Sequence, residues 1–182
     1  MKVLVFDDSQ INRSAAQAQL KDHDLTVVGT YDEAQKLLTT QKFDAVLTDL
    51  LVPASDRAQG GGGLKYVGQE MPIGIFIGLL AAVKSRAKYV AVFTDSDHHS
   101  HPASACFDAF NDDIGEEGVP FTVEGCKVIL CNARNWVNHF DPKELSTPLD
   151  SKSSDSVRAK NWTKLLAWLM REDWQSFICR GA

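Results

Sequence analysis

Lys2-Val3-Leu4-Val5-Phe6 followed by Asp7-Asp8, and Phe43-Asp44-Ala45-Val46-Leu47-Thr48 followed by Asp49, decide how the chain folds. Each is a short apolar run of β-forming residues that stops at a carboxylate. Runs this short and this continuously apolar read as strands buried on both faces, the signature of a parallel sheet covered by helices. Between the two, Ser9 opens a helical stretch to about Lys21. Leu25 to Gly29 reads as another strand, and Tyr31 to Thr40 carries Ala34, Leu37 and Leu38 at helical spacing.

The alternation continues beyond them. Ile73 to Arg86 reads as a helix, Lys88 to Phe93 as a strand ending at Thr94-Asp95, Ala103 to Asn111 as a helix and Lys127 to Cys131 as a fifth strand. The polar stretch Asp141 to Ser154 reads as a loop. Asp155 to Cys179 reads as one long amphipathic helix with Val157, Trp162, Leu165, Leu166, Leu169 and Phe177 near one face. Strands alternating with helices give an α/β fold with a doubly wound, mainly parallel sheet. A length of 182 residues, no internal repeat and no second core point to a single domain over 1–182.

Composition narrows the function. A net charge of −5 argues against a nucleic-acid-binding surface. The longest apolar run, Ile73 to Val83, is shorter than the roughly 20 residues that span a bilayer, and the N-terminus lacks a signal-peptide pattern. The four cysteines, Cys106, Cys126, Cys131 and Cys179, show no C-x-x-C spacing. Free thiols fit a reducing compartment, so the chain is read as cytoplasmic.

In such sheets the functional crevice lies beyond the carboxyl ends of the strands. Asp7, Asp8, Asp49 and Thr94 all fall there. Three gathered carboxylates repel one another unless a cation balances them, and oxygen ligands of that kind suit Mg²⁺. A carboxylate beside that metal can act as nucleophile toward a phosphoryl donor. The bland alternative for any single aspartate is that it caps a turn.

Val3 through Arg13, with Asp7-Asp8 inside it, resembles the opening of response-regulator receiver domains. Phe43 through Pro53 resembles that family's phosphoacceptor strand, including the proline four residues after Asp49. The likeness covers the first 55 residues well and the remainder in outline. It implies a flavodoxin-like, five-stranded parallel sheet in the order 2-1-3-4-5. It implies Asp49 as phosphoacceptor, Asp7, Asp8, Asp49 and the Leu51 backbone carbonyl as Mg²⁺ ligands, and Thr94 as the switch hydroxyl. It also implies a signalling role in the cytoplasm, with a sensor histidine kinase or another signalling protein as partner.

The pattern breaks at strand five. Asn132 stands where the family carries a lysine, Ile129 stands at its aromatic switch position, and Lys127 lies at the far end of that strand. Arg134 is a remote substitute. Segments near 54–70 and 112–126 read as insertions. These departures leave three readings. The chain is a phosphorylatable receiver, a degenerate receiver that acts by binding alone, or a metal-dependent phosphohydrolase built on the strand-end aspartates.

Three other features stand apart. Asp95-Ser96-Asp97-His98-His99-Ser100-His101 has ligand types suited to zinc, and otherwise reads as a polar loop. Gly60 to Gly63 reads as a flexible segment and lacks the spacing of a phosphate-binding loop. Trp162, Trp168 and Trp174 spiral around the C-terminal helix, either as the edge of the core or as a partner or homodimer surface.

Overall fold

The computed structural model describes residues 1–55, 64–96, 101–110, 118, 120–132 and 136–172. The element order begins β1 (Lys2–Phe6), α1 (Gln10–Gln19), β2 (Asp24–Val28), α2 (Tyr31–Thr40), β3 (Ala45–Asp49), β4 (Val52–Pro53) and β5 (Glu70–Met71). It continues through α3 (Ile73–Val83), β6 (Tyr89–Phe93), α4 (Pro102–Ala105), β7 (Phe121–Val123) and β8 (Cys126–Cys131). It closes with β9 (Val137–Asp141), β10 (Glu144–Pro148), β11 (Val157–Lys160) and α5 (Trp162–Leu169).

The fold is mixed α/β around a mostly parallel central sheet, as the apolar runs predict. The sheet is not the five-stranded 2-1-3-4-5 arrangement expected. It has six strands in the order β2-β1-β3-β6-β8-β7. The last, β7, is antiparallel to β8 and comes from the segment read as an insertion. Phe121, Thr122 and Val123 are β-formers that return through Glu124-Gly125, both at positive φ, as a tight hairpin requires.

A second sheet, β10-β9-β11, was not foreseen. It corrects two expectations: Asp141 to Ser154 holds β10 rather than loop alone, and the helix expected over 155–179 begins only at Trp162. The reason is local. Val157 and Ala159 alternate inward as a strand does, and the Asn161 side chain accepts from the Lys164 N–H as a helix N-cap, which breaks any helix running through it. Residues 173–182, with Trp174 and Phe177, lie outside the described residues.

Side chains alternate across the central sheet. Val3, Val5, Leu47, Ala91 and Phe93 enter one core with α1, α5 and the second sheet, whereas Leu4, Phe6, Val46, Val90 and Val92 enter the other with α2 and α3. The doubly wound sheet thus has helices on both faces, and on one face the second sheet shares the cover. Two alanines, Ala15 and Ala16, on the buried side of α1 leave room for that sheet to approach.

On the opposite face glycine sets the approach. A Cβ at Gly74 would stand 1.7 Å from the carbonyl oxygen of Asp49, and one at Gly78 would stand 2.8 Å from Val92. The Gly74 N–H donates to the Leu50 carbonyl at 3.0 Å, so α3 starts directly against the end of β3. Gly74→Ala forces the helix off that strand end. It is expected to lower unfolding free energy by about 3 kcal/mol or more, measured by urea denaturation.

Candidate functional site

Strand register builds the site. Phe6 lies opposite Thr48 in the parallel β1–β3 pair. Asp7, the next residue, and Asp49 therefore leave the sheet level with each other. Both continue the alternation that points toward the face covered by the second sheet. Asp8 follows into a more open position. Carboxylate oxygens of Asp7, Asp8 and Asp49 lie within 4.8 Å of one another, with Asp7 and Asp49 buried.

The cation that reaches them is Lys160. Its ammonium lies 2.7 Å from Asp7 Oδ2 and 2.9 Å from Asp49 Oδ1, and its side chain is fully buried. It also sits over the rings of Phe93 at 4.9 Å and Trp162 at 5.5 Å. Sequence reasoning missed this residue because it placed Lys160 inside a continuous helix. The signal was present: an alternating strand ending in lysine, then Asn161 as a cap. What the linear pattern lacks is any hint that this strand lies against α1, with its last residue at the end of the first strand.

Helix α1 holds Lys160 in place. Asn12, buried on α1, donates from Nδ2 to Asp7 Oδ1 at 3.3 Å and accepts from the Lys160 backbone N–H at 3.1 Å. Its carbonyl accepts from the Trp162 indole at 2.9 Å. Two turns on, Gln19 donates to the Lys160 carbonyl at 3.1 Å and accepts from the Trp162 N–H at 2.7 Å. Asn12 and Gln19 lie seven residues apart, flanking Ala15 and Ala16 on one helix face. On that face they tie both sides of the β11–α5 junction to α1.

The other predicted residues fall as follows. Thr94 is buried beyond β6, and its hydroxyl accepts from the Ser96 N–H at 3.0 Å. Leu51 is buried in the turn after β3. Asn132 turns elsewhere, donating to Asp108 at 2.9 Å. His101 caps α4, its Nδ1 accepting from the Ala103 N–H at 3.1 Å. Asp97 to Ser100, Gly60 to Gly63 and Arg134 lie outside the described residues. Trp162 is core, and Trp168 packs tilted on Trp136 at 6.1 Å.

Electrostatics follow from burial. Desolvation pushes Asp49 up to about 7; Lys160 opposes that shift, and Asp7 and Asp95 add to it. Asp8 is also raised, by burial first and then by Asp7. For Lys160, burial disfavours the ammonium, but Asp49 and Asp7 together outweigh it and hold the lysine charged above its ordinary value. The Lys160 ammonium, 2.9 Å from Asp49 Oδ1, is the charged partner of that buried oxygen.

The donor set suits a divalent cation. Three clustered carboxylates against one ammonium leave two negative charges when all are ionised, and oxygen-only ligands with room for water are what Mg²⁺ takes. Asp7, Asp8 and Asp49 are the residues that would hold it. No protein-family model matches the chain, and no curated protein matches it.

Two stability measurements probe this charge balance. Lys160→Met leaves two buried carboxylates without their cation. In chelator-containing buffer at pH 8 it is expected to cost about 3–5 kcal/mol. The deficit should narrow toward pH 5.5 as Asp49 takes up a proton. In the wild type, the folded state holds a proton on Asp49 that the unfolded chain has already released between about pH 4 and 7. Stability from this group therefore falls as pH rises through that window. Thermal melts of Asp49→Asn should show a shallower fall than the wild type over the same range.

Proposed function

We propose that this chain is a receiver-type signalling domain in which Asp49 accepts a phosphoryl group, with Lys160 taking the place of the lysine absent at Asn132. The observation that carries this reading is the Lys160 ammonium set between Asp7 and Asp49, at 2.7 and 2.9 Å. A phosphoacceptor carboxylate needs a fixed positive charge where phosphoryl oxygens arrive, because charge placed in advance stabilises the transition state without reorganisation. Lys160 is such a charge. Burial, two ion pairs and the Asn12 and Gln19 clamps on its backbone hold it.

Each remaining group has a part in this reading. One Asp49 carboxylate oxygen attacks the phosphorus of an acyl phosphate, the bond from phosphorus to the carboxylate leaving group breaks, and the leaving carboxylate keeps that electron pair. Mg²⁺ held by Asp7, Asp8 and Asp49 would supply charge neutralisation for the phosphoryl oxygens. Asp7 and Asp8 bring their carboxylates beside Asp49, and the Thr94 hydroxyl, which accepts from the Ser96 N–H, keeps its own proton to donate to a phosphoryl oxygen. Lys160 favours the ionised, nucleophilic form of Asp49 and opposes the upward shift that burial imposes. The expected partner is a sensor kinase or another signalling protein.

The reading predicts a covalent product. With Mg²⁺ and acetyl phosphate, intact-mass measurement should show a single phosphate-sized gain in the wild type and none in Asp49→Asn. Lys160→Met should slow the gain on the order of 100-fold, as expected for loss of a transition-state donor. Asn132→Lys should leave its rate within about twofold, since Asn132 is engaged with Asp108. Absence of any gain in a wild type that binds Mg²⁺ would favour the binding-only reading. Continuous phosphate release that survives Asp49→Asn would favour a phosphohydrolase.

A further inference from the structure

Helix α3 has no charged or hydrogen-bonding side chain: Ile73-Gly74-Ile75-Phe76-Ile77-Gly78-Leu79-Leu80-Ala81-Ala82-Val83. A helix apolar all round is normally covered all round. Here one face, with Gly74, Ile77, Gly78 and Ala81, is buried against the sheet. The other face is open, with Phe76 62% exposed, Leu79 45% and Val83 41%. Their spacing of three and four residues lines them up as one stripe.

The two ends of the stripe carry opposite charge. At its N-terminal end lies the acidic edge, with Glu70 near enough to Asp8 to raise it. At its C-terminal end Lys84 follows directly, and a cavity of about 510 Å³ beyond it is lined by Lys2, Lys42, Arg86 and Lys88 against Asp44 and Glu124, a cationic excess. None of Lys42, Lys84, Arg86 or Lys88 has a side-chain ion-pair or hydrogen-bond partner among the described residues, and Arg86 Nε is buried without one. Glu70 likewise has no cationic partner among them. The molecule thus presents an apolar bar with an unmatched acidic end and an unmatched basic end.

A surface of that pattern is complementary to itself turned around. We propose that α3 is a homodimer interface, in which a second copy of this chain packs its α3 antiparallel across a two-fold axis near Ile77. Phe76 of each copy then faces Leu79 of the other, and Glu70 of each lies toward Lys84 of the other. The helix is about 16 Å long, so both charged ends meet their opposites in one register. A two-fold interface uses each contact twice, which is why a stripe with one acidic and one basic end suits an isologous pair. The apolar stripe supplies the association, and the charged ends select antiparallel over parallel pairing.

Sedimentation velocity on the full chain tests this without metal or phosphodonor, so its outcome is independent of the chemistry at Asp49. The wild type should be dimeric at concentrations on the order of 100 µM, with weaker association at high salt. Leu79→Glu should be monomeric while keeping its thermal midpoint at dilution, because Leu79 is exposed in the monomer. Glu70→Lys and Lys84→Glu should each weaken the dimer on the order of five- to tenfold, since each reversal disturbs two symmetry-related contacts. The double reversal should return affinity to within about threefold of wild type. A wild type that stays monomeric at millimolar concentration overturns the proposal. So does a dimer that survives Leu79→Glu, or one whose charge reversals fail to compensate each other.

Discussion

The ion pair of Lys160 with Asp7 and Asp49 is the constraint on which the rest of the structure depends. Two buried carboxylates at neighbouring strand ends cannot both stay ionised in a low-dielectric interior unless a positive charge is fixed beside them. That charge arrives from β11, a strand more than a hundred residues away in sequence. The second sheet therefore completes the polar site while it covers the apolar face of the first. Asn12 and Gln19 make the arrangement stable by absorbing the backbone groups that the close approach of β11 would otherwise leave unpaired. Each part of the layer has a partner only because the others are present.

The same layout separates the molecule into regions of different physical character. The carboxyl ends of the parallel strands gather acid, where Asp7, Asp8, Asp49 and Asp95 act on one another. The opposite edge carries more cations than acids, with Lys2, Lys42, Arg86 and Lys88 against Asp44 and Glu124. Such polarity follows from the strand sequences themselves, several of which enter after a basic residue and leave at an acidic one: Lys2 to Asp7, Lys42 to Asp49, Lys88 to Asp95. Helix α3 joins the two edges with no charge of its own. Its glycines bring it within reach of Asp49 on one side, and its large apolar side chains face outward on the other.

Much of the central sheet was legible because its cause is local. Apolar runs bounded by carboxylates specify buried strands, and Ala34, Leu37 and Leu38 specify α2 to the residue. The acidic cluster was legible for the same reason, since adjacent parallel strands in register bring their terminal aspartates together. The C-terminal third was not legible. Val157 to Phe177 has helical spacing of apolar residues as well as the alternation of Val157 and Ala159, and only the Asn161 cap separates the two. Strands β9 and β10 are short and partly polar, and they acquire strand geometry by pairing with each other and with β11 rather than from their own propensity.

By itself the sequence determined an α/β chain with a mostly parallel sheet and the carboxylates Asp7, Asp8 and Asp49 at one edge of it. Periodicity and strand-end chemistry are properties of neighbouring residues, so they can be read in a line. The sixth strand, the second sheet and the identity of the cation were decided only by tertiary structure. A lysine at the expected place in strand five would have been read directly, whereas Lys160 becomes part of the site only when β11 lies across α1. Which charge meets which carboxylate is set by how the layers stack, and layer stacking depends on contacts between segments that are far apart in sequence.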